Sequence, residues 1–135
     1  MVNATVTVHV AIDASQLRQI MLNLVRNAQE AIDGRPGRIE LALFRERAPL
    51  HGKLTEVAVL AVTDNGPGIP AGVQPRLFDP FFTTKPAGTG LGLSIVARLV
   101  ENQSGEITFQ SAPGTGTRFA VRLPIPDHAP QARGQ

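Results

Sequence analysis

The sequence predicts a two-layer α/β sandwich in which a mixed β-sheet carries helices on one face. Two segments with apolar residues at helical spacing are interleaved with segments rich in β-branched residues. Each helical segment has one apolar stripe, which a sheet or another helix must cover. The chain has 135 residues, of which 42% are hydrophobic, so it is long enough for one domain with its own core.

The chain begins with a predicted strand and a predicted helix. Residues 4–11 alternate in polarity and are rich in β-branched side chains, which indicates a strand. Asp13 stands where a helix N-cap belongs, and apolar residues follow at helical spacing as far as Ile32. Gly34 and Pro36 then predict the end of this helix.

Two strands are predicted next, at residues 38–47 and 56–64. The second is apolar on both faces, so we expect it in the middle of the sheet. Residues 48–54 between them contain Pro49 and Gly52 and predict a hairpin loop.

The second half of the chain is predicted to contain loops, a long helix and two closing strands. In order, these are a loop at 65–72, a short helix at 73–78, a loop at 79–89, a helix at 91–103 ended by Gly105, and strands at 107–111 and 117–123 around a glycine-rich turn. We therefore expect residues 1–124 to form the domain. Residues 125–135 are rich in proline and polar residues and are expected to form a flexible tail.

Composition argues against several functional classes. The net charge is only +2, which calls for neither a nucleic-acid partner nor an acidic membrane surface. Trp and Tyr are absent, so a stacking platform for single strands is not expected. Without cysteine there is no disulfide or cysteine-based zinc site, as is usual in a reducing cytosol. The longest apolar run, 57–62, is too short for a membrane span. We expect a cytoplasmic domain without nucleic-acid or membrane contact, whether or not its parent protein is membrane-anchored.

Asn23 and Asn27 lie four residues apart at one edge of the apolar stripe of the first helix. Asparagine is a poor helix former, so the pair goes against local preference. The two residues can be ordinary exposed helix residues. They can also form a site, because an amide oxygen completes the coordination of Mg²⁺ alongside phosphates and waters.

Asp64 ends the apolar strand and is followed by Gly66 and Gly68. An ordinary turn explains this pattern, because Asn-Gly is a strong turn signal. A binding site also explains it, because glycines allow a ligand to approach the backbone closely. A partly buried carboxylate needs a partner, and the exocyclic amine of a purine is a suitable one.

Residues 88–93, with the sequence GTGLGL, open the second long helix. A helix N-terminus with nearby glycines offers free N–H groups to phosphate. No apolar strand precedes the segment, which excludes the dinucleotide-binding fingerprint, and the G-x-x-x-x-G-K-[ST] loop is absent. Lys85, five residues before Gly90, is a candidate to contact a terminal phosphate.

The order of these segments is more specific than any one of them. The chain contains, in sequence, QLRQIMLNLVRNAQEAI, DNGPGI, LFDPFFTTK, GTGLGLSIV and PGTGTRFAVRLP. This series resembles the N, G1, F and G2 boxes and the final glycine-rich turn of the catalytic ATP-binding domain of sensor histidine kinases. The resemblance covers about residues 5–124, and the short stretch between FFTTK and GTGLGL looks most like the nitrogen-regulation (NtrB-type) branch. It implies a Bergerat-type sandwich with ATP and Mg²⁺ between the first helix and a mobile lid.

The resemblance also implies roles for individual residues. Asn27 would bind Mg²⁺, and Asn23 and Lys85 would act at the phosphates as the catalytic residues. Asp64 would accept a hydrogen bond from the adenine amino group, with Thr117 supporting the adenine end through water. The other nucleotide contacts would come from Gly66, Gly68, Ile69, Thr83, Thr84, Gly88, Thr89, Gly90, Leu91, Gly92 and Leu93. The phenylalanines of the F box, Phe78, Phe81 and Phe82, would anchor the lid and partner contacts or simply pack in the core.

The implied function is two-component signal transduction. The domain would donate the γ-phosphate of ATP to a histidine on a separate dimerisation domain, whose sequence pattern this chain lacks, and the parent protein would signal to a response regulator. Glu30 stands where many relatives have a basic residue, so Lys85 or Arg26 would supply more of the charge at the phosphates. Two alternatives remain open: a serine kinase of the anti-sigma-factor type, and a non-catalytic nucleotide-binding regulatory module.

Overall fold

The computed structural model describes residues 12–32, 36–80 and 92–126. The elements are α1 (Ala14–Ile32), β1 (Ile39–Leu50), β2 (Lys53–Asp64), a turn of 3₁₀ helix (Gln74–Arg76), α2 (Gly92–Asn102), β3 (Glu106–Ala112) and β4 (Gly116–Pro124). The strands form one sheet in the order β1-β2-β4-β3, with antiparallel pairing at each described contact. The α/β class is confirmed. The predicted strand at 4–11 lies outside the described residues.

Both helices pack on the same face of the sheet. Ile20 and Leu24 of α1 and Val96 of α2 meet Phe119 and Val121 of β4 in one buried cluster. Burying each of these large side chains contributes about 1.5–3 kcal/mol to stability. A second buried cluster, built around Val57 and Val59, lies on the opposite side of the sheet. Strand β2 lies between β1 and β4 and contributes residues to both clusters. This confirms the prediction, made from its two apolar faces, that it lies in the middle of the sheet.

The hairpin between β1 and β2 is tighter than predicted. The expected loop at 48–54 is wrong, because the strands continue to a two-residue turn at His51 and Gly52, with φ of 52° and 80°. Two positive φ angles in a row are typical of a type I′ turn. Pro49 is tolerated because β1 lies at the edge of the described sheet.

The tip of this hairpin reaches β3, the strand at the other edge of the described sheet. The backbone N–H of His51 donates to Glu106 Oε2 at 3.0 Å, and His51 Nδ1 lies 3.1 Å from the same oxygen. The other ring nitrogen lies 3.3 Å from the carbonyl oxygen of Ser104. The hairpin is therefore tied to the turn between α2 and β3.

The α1 helix begins as the sequence predicts. The N–H groups of Gln16 and Leu17 donate to the carbonyl oxygen of Asp13 at 3.0 and 3.1 Å. The hydroxyl of Ser15 donates to the Asp13 carboxylate. Asp13 thus accepts the first helical bonds through its backbone, as an N-cap residue does.

The end of α2 differs in detail from the prediction. Helix α2 ends at Asn102, and the left-handed residue after it is Ser104, with φ of 61°, not Gly105. The N–H of Ser104 donates to the carbonyl of Glu101, and that of Gly105 to the carbonyl of Val100, which is a Schellman motif. Gly105 is needed for another reason, since a Cβ there would lie 2.4 Å from the carbonyl oxygen of Arg122.

We expect Ser104→Gly to raise the free energy of unfolding by about 0.5–1 kcal/mol, because glycine adopts the left-handed conformation without the cost that serine has. Urea denaturation measures the change. Glu101→Gly, in the last turn of α2, is the control and should lower stability by about 1 kcal/mol. An equal decrease in the free energy of unfolding in both variants would contradict the Schellman motif at the end of α2.

The described contacts continue slightly past the predicted domain end at 124. Ile125 is buried, and its N–H donates to the carbonyl oxygen of Glu56 at 2.9 Å. Within the described parts of the chain, neither helix is long and apolar enough to cross a bilayer.

Candidate functional site

Asp64 is a buried carboxylate at the end of the middle strand β2, with only 4% of its surface exposed. Its Oδ1 accepts the N–H of Gly66 at 2.8 Å. An ionised carboxylate accepts up to about four hydrogen bonds, so this contact leaves capacity for a donor on a ligand. A buried carboxylate without such partners would be costly.

Asn65 fixes the chain directly after Asp64. Its N–H donates to the carbonyl of Arg38 at 3.2 Å, and its Oδ1 accepts the N–H of Arg38 at 2.7 Å. These bonds extend the pairing of β1 and β2 by one residue and set where Asp64 lies. This role was not predicted, because Asn65 is also the first residue of an Asn-Gly turn signal. The ability of asparagine to replace backbone hydrogen bonds was the available clue.

The two glycines after Asp64 are required for different structural reasons. A Cβ on Gly66 would lie 3.0 Å from Asp64 Oδ1 and 3.2 Å from the carbonyl oxygen of Ala31. Gly68 has φ of 82°, and a Cβ there would lie 2.3 Å from the carbonyl oxygen of Ala112. Gly66 therefore keeps the space between Asp64 and α1 open, whereas Gly68 lets the loop pack on the turn between β3 and β4.

Three polar residues form a row across the sheet beside this loop. Asp64 in β2 is paired with Thr117 in β4, and Thr117 is paired with Ser111 in β3. Thr117 is 5% exposed, and its Oγ1 lies 2.9 Å from Ser111 Oγ. The N–H of Ile69 donates to Ser111 Oγ at 2.7 Å. Ser111 was also missed, although a hydroxyl on the face that carries Phe109 was a visible signal.

Asn23 of α1 lies near the start of α2. Both Asn23 and Asn27 are partly buried, one helical turn apart on the same face. Asn23 Nδ2 donates to the carbonyl of Gln19 at 2.9 Å. Its Oδ1 would lie 3.4 Å from a Cβ at Gly92, so the first residue of α2 closely approaches this amide. Leu93 packs against the core.

The structure thus describes nine of the predicted site residues: Asn23, Asn27, Asp64, Gly66, Gly68, Ile69, Gly92, Leu93 and Thr117. Asn23 approaches Gly92. Asp64 accepts the N–H of Gly66 and is paired with Thr117 across the sheet, and Ser111 joins Ile69 to Thr117. The remaining predicted residues lie outside the described ranges: Thr83, Thr84, Lys85, Gly88, Thr89, Gly90 and Leu91.

The F box is described only in part. Phe78 packs against Phe109 and Phe119, with ring centroids 6.0 and 6.4 Å apart. For Phe78 the core-packing interpretation is therefore confirmed. Phe81 and Phe82 lie outside the described residues.

Two cavities flank the loop after Asp64. One, of about 290 Å³, is lined by Asp64, Ser111 and Thr117 among others, and a second, of about 330 Å³, by Asn65, Gly66 and neighbours. These volumes are close to the lower limit for ligand pockets. Residues 12–32, 36–80 and 92–126 contain no cluster of three or more His, Asp or Glu that would hold a metal alone. An amide oxygen that acts together with ligand phosphates suits Mg²⁺.

The described fold, with a buried carboxylate at the end of β2 and two amides on α1, is matched by a family of ATPase domains. The model of the family described as histidine kinase-, DNA gyrase B- and HSP90-like ATPases matches residues 12–127. The chain belongs to this family, and within it the chain is a histidine-kinase ATPase domain of the NtrB-like type. The resemblance noted in the sequence is confirmed.

The chain is 44% identical over 115 residues to the sensory histidine kinase/phosphatase NtrB of Klebsiella oxytoca, covering 84% of this chain and 33% of that protein. It therefore spans about a third of the length of the curated relatives it matches. The mycobacterial sensor histidine kinase MprB superposes with a TM-score of 0.70 at 32% identity, over 88% of this chain and 78% of that one. Full-length ShkA in complex with AMPPNP gives 0.67 at 32% identity, over 84% and 22%.

Proposed function

We propose that this chain binds Mg-ATP beside Asp64 and donates the γ-phosphate to a histidine on a separate dimerisation domain. The observation that supports the proposal most strongly is the Asp64 carboxylate, which is buried, held by the Gly66 N–H, and paired across the sheet with buried Thr117. An acceptor fixed in this way suits the exocyclic amino group of adenine.

The amides of α1 would act at the phosphate end of the nucleotide. Asn27 would hold Mg²⁺ through its side-chain oxygen, and the ion, when bound, neutralises charge on the triphosphate. Asn23 faces Gly92 at the start of α2, and the first N–H groups of a helix have no partner within the helix and are suited to bind phosphate. Phosphoryl transfer needs positioning and charge neutralisation more than covalent help, and this set of residues supplies both.

Asn23 also limits what the isolated chain would do. A neutral amide is not a general base for the activation of water. Its Nδ2 donates to the carbonyl of Gln19, and its Oδ1 lies close to Gly92. The isolated chain should therefore bind ATP but hydrolyse it well below about 1 s⁻¹, the lower end of ordinary enzyme turnover.

The partners of the domain would be the dimerisation and phosphoacceptor domain of the parent kinase and, through the parent, a response regulator. Support comes from the relatives, because NtrB of Klebsiella oxytoca is a histidine kinase/phosphatase of which this chain matches only 33%. The AMPPNP complex of ShkA supports a triphosphate ligand for the shared fold.

Incubation of the full chain with γ-labelled ATP, Mg²⁺ and the phosphoacceptor domain of an NtrB-type kinase tests the proposal. We expect label on a histidine of the acceptor domain, lost in acid and retained in base. Label on a serine would favour the anti-sigma-factor type of kinase. Nucleotide binding without any transfer would favour the regulatory module, and either result would overturn the proposed transfer.

Asn27→Ala should weaken ATP binding in the presence of Mg²⁺ about tenfold or more and abolish its dependence on Mg²⁺, because the ion loses its protein ligand. Calorimetric titrations at several Mg²⁺ concentrations measure this dependence. Gln29→Ala removes an exposed amide from the same helix and is expected to leave binding unchanged. If Asn27→Ala responds to Mg²⁺ as the wild type does, the ligand assignment is wrong.

A further inference from the structure

The face of the sheet opposite the helices carries a row of polar residues that the proposed function does not use. Arg118 of β4 is paired with Thr63 of β2 on one side and with Gln110 of β3 on the other. Paired residues share a face of the sheet, and the faces alternate along each strand. Arg118 therefore shares a face with Ala120, which belongs to the buried cluster on the side without helices.

This row lines the cavity of about 290 Å³ described above. Asp64 and Thr117 border the same cavity, but they alternate with Thr63 and Arg118 along the strands, so their side chains belong to the helix-bearing face. Thr115 also lines the cavity, and its hydroxyl donates to the carbonyl oxygen of Ala112 at 2.9 Å. The donors left for a ligand are the guanidinium, amide and hydroxyl of the row itself.

Arg118 has no acidic partner on this face within the described residues. Its neighbours along β4 on the same face are a glycine and an alanine, and its two paired neighbours are neutral. The carboxylate in line with the row, Glu40 of β1, forms its ion pair with Arg38 instead. A guanidinium is always charged and donates without accepting, so Arg118 is complementary to an anion.

A second arginine adds to the positive charge of the same face. Arg122 lies four residues further along β4, and its Nε is buried without a hydrogen-bond partner in the described part of the chain. Its paired neighbour Glu106 accepts the backbone N–H of His51 and lies 3.1 Å from the ring of that histidine. Two arginines without described acidic partners raise the local concentration of anions at this face.

We propose that this pocket binds the carboxylate of a small organic acid, held by the guanidinium of Arg118 with Gln110 and Thr63 as further donors. A planar guanidinium donates two parallel hydrogen bonds to a carboxylate, which suits a single arginine in a pocket. None of the residues that line the cavity is a lysine or begins a helix, as is common in phosphate sites. The volume is close to the lower limit of about 300 Å³ for ligand pockets, so it suits a small molecule.

The test is a titration of the full chain, labelled with ¹⁵N, with sodium propionate at constant pH and constant ionic strength. We expect saturable NMR shifts that include the side-chain N–H of Arg118 and the side-chain amide of Gln110. Arg118→Gln removes the charge and should weaken propionate binding about tenfold or more. Arg118→Lys keeps the charge without the fork and should weaken it about fivefold or more.

Two controls separate this site from other anion effects. Arg98→Gln removes an exposed arginine from α2 and should leave the affinity for propionate unchanged. Sodium phosphate, titrated at the same ionic strength, should bind about tenfold more weakly than propionate, because the fork matches a planar carboxylate. Circular dichroism shows whether each variant folds, and Arg118→Lys decides the test if Arg118→Gln does not fold.

The outcomes that overturn the proposal are distinct from a failure of ATP binding. Shifts that do not saturate, or an affinity for propionate that survives in Arg118→Gln, contradict the site. Equal affinity in Arg118→Lys means attraction by a point charge and overturns the fork, and phosphate that binds as tightly as propionate overturns the carboxylate. ATP and Mg²⁺ should leave propionate binding unchanged, because Asp64 and Asn27 belong to the other face. A chain that binds propionate but no ATP contradicts only the proposed function.

Discussion

Gly68→Ala is expected to lower the free energy of unfolding by about 3 kcal/mol or more. Gly68 has φ of 82°, where any other residue is strained. Its Cβ would also lie 2.3 Å from the carbonyl oxygen and 2.8 Å from the carbonyl carbon of Ala112. Both obstacles are backbone atoms, so the loop after Asp64 or the β3–β4 turn must move.

Gly52→Ala is a closely matched control for this prediction. Gly52 has φ of 80°, but a Cβ there meets nothing within 4 Å. Gly52→Ala should therefore lower the free energy of unfolding by only about 1–2 kcal/mol, which is the cost of the left-handed conformation. Urea denaturation of the two variants separates close packing from backbone strain. Equal decreases in the free energy of unfolding would mean that the loop after Asp64 does not pack on the β3–β4 turn as described.

Asp64→Ala is expected to weaken ATP binding by about 1–3 kcal/mol, which is roughly five- to 150-fold. The reason is that the amino group of adenine would enter a buried site without an acceptor. Isothermal titration calorimetry at saturating Mg²⁺ measures the dissociation constant. The variant also releases the N–H of Gly66, so its melting temperature must be measured in parallel.

Glu40→Ala removes another carboxylate and is the matched control. The side chain of Glu40 is 66% exposed and pairs with Arg38 on the surface of β1. A surface ion pair of this kind contributes little to stability. ATP affinity should therefore remain at the wild-type value in this variant. An unchanged dissociation constant in folded Asp64→Ala would refute the placement of adenine beside Asp64.

The helices and strands could be predicted because the apolar pattern that indicates each of them lies within one short segment of the chain. The apolar stripe of α1 and the two-sided apolar pattern of β2 each lie within one segment, and both predictions are confirmed. The hairpin loop at 48–54 was predicted wrongly because Pro49 and Gly52 were given equal weight as loop signals. An edge strand tolerates the proline, and the turn needs only His51 and Gly52.

The candidate site was only partly accessible to the same reasoning. Asp64 stood out as a polar residue at the end of an apolar strand. Its partner Thr117 is 53 residues away, and only the pairing of β2 with β4 brings the two together. Ser111 and Asn65 act through hydrogen bonds to residues on other elements, which no local pattern shows. A Cβ on Gly68 would collide with the backbone of Ala112, a packing reason for this glycine that the sequence does not show, and its role at a ligand stays a prediction.

The most direct test of the account is thermal unfolding of the full chain with and without ATP and Mg²⁺. A ligand that binds only the folded state stabilises it by about 2.7 kcal/mol at one hundred times its dissociation constant. For a chain of this length we expect the melting temperature to rise by roughly 5–15 °C. GTP at the same concentration should produce a smaller shift. A melting temperature that saturating ATP and Mg²⁺ leave unchanged would contradict an adenine nucleotide site beside Asp64.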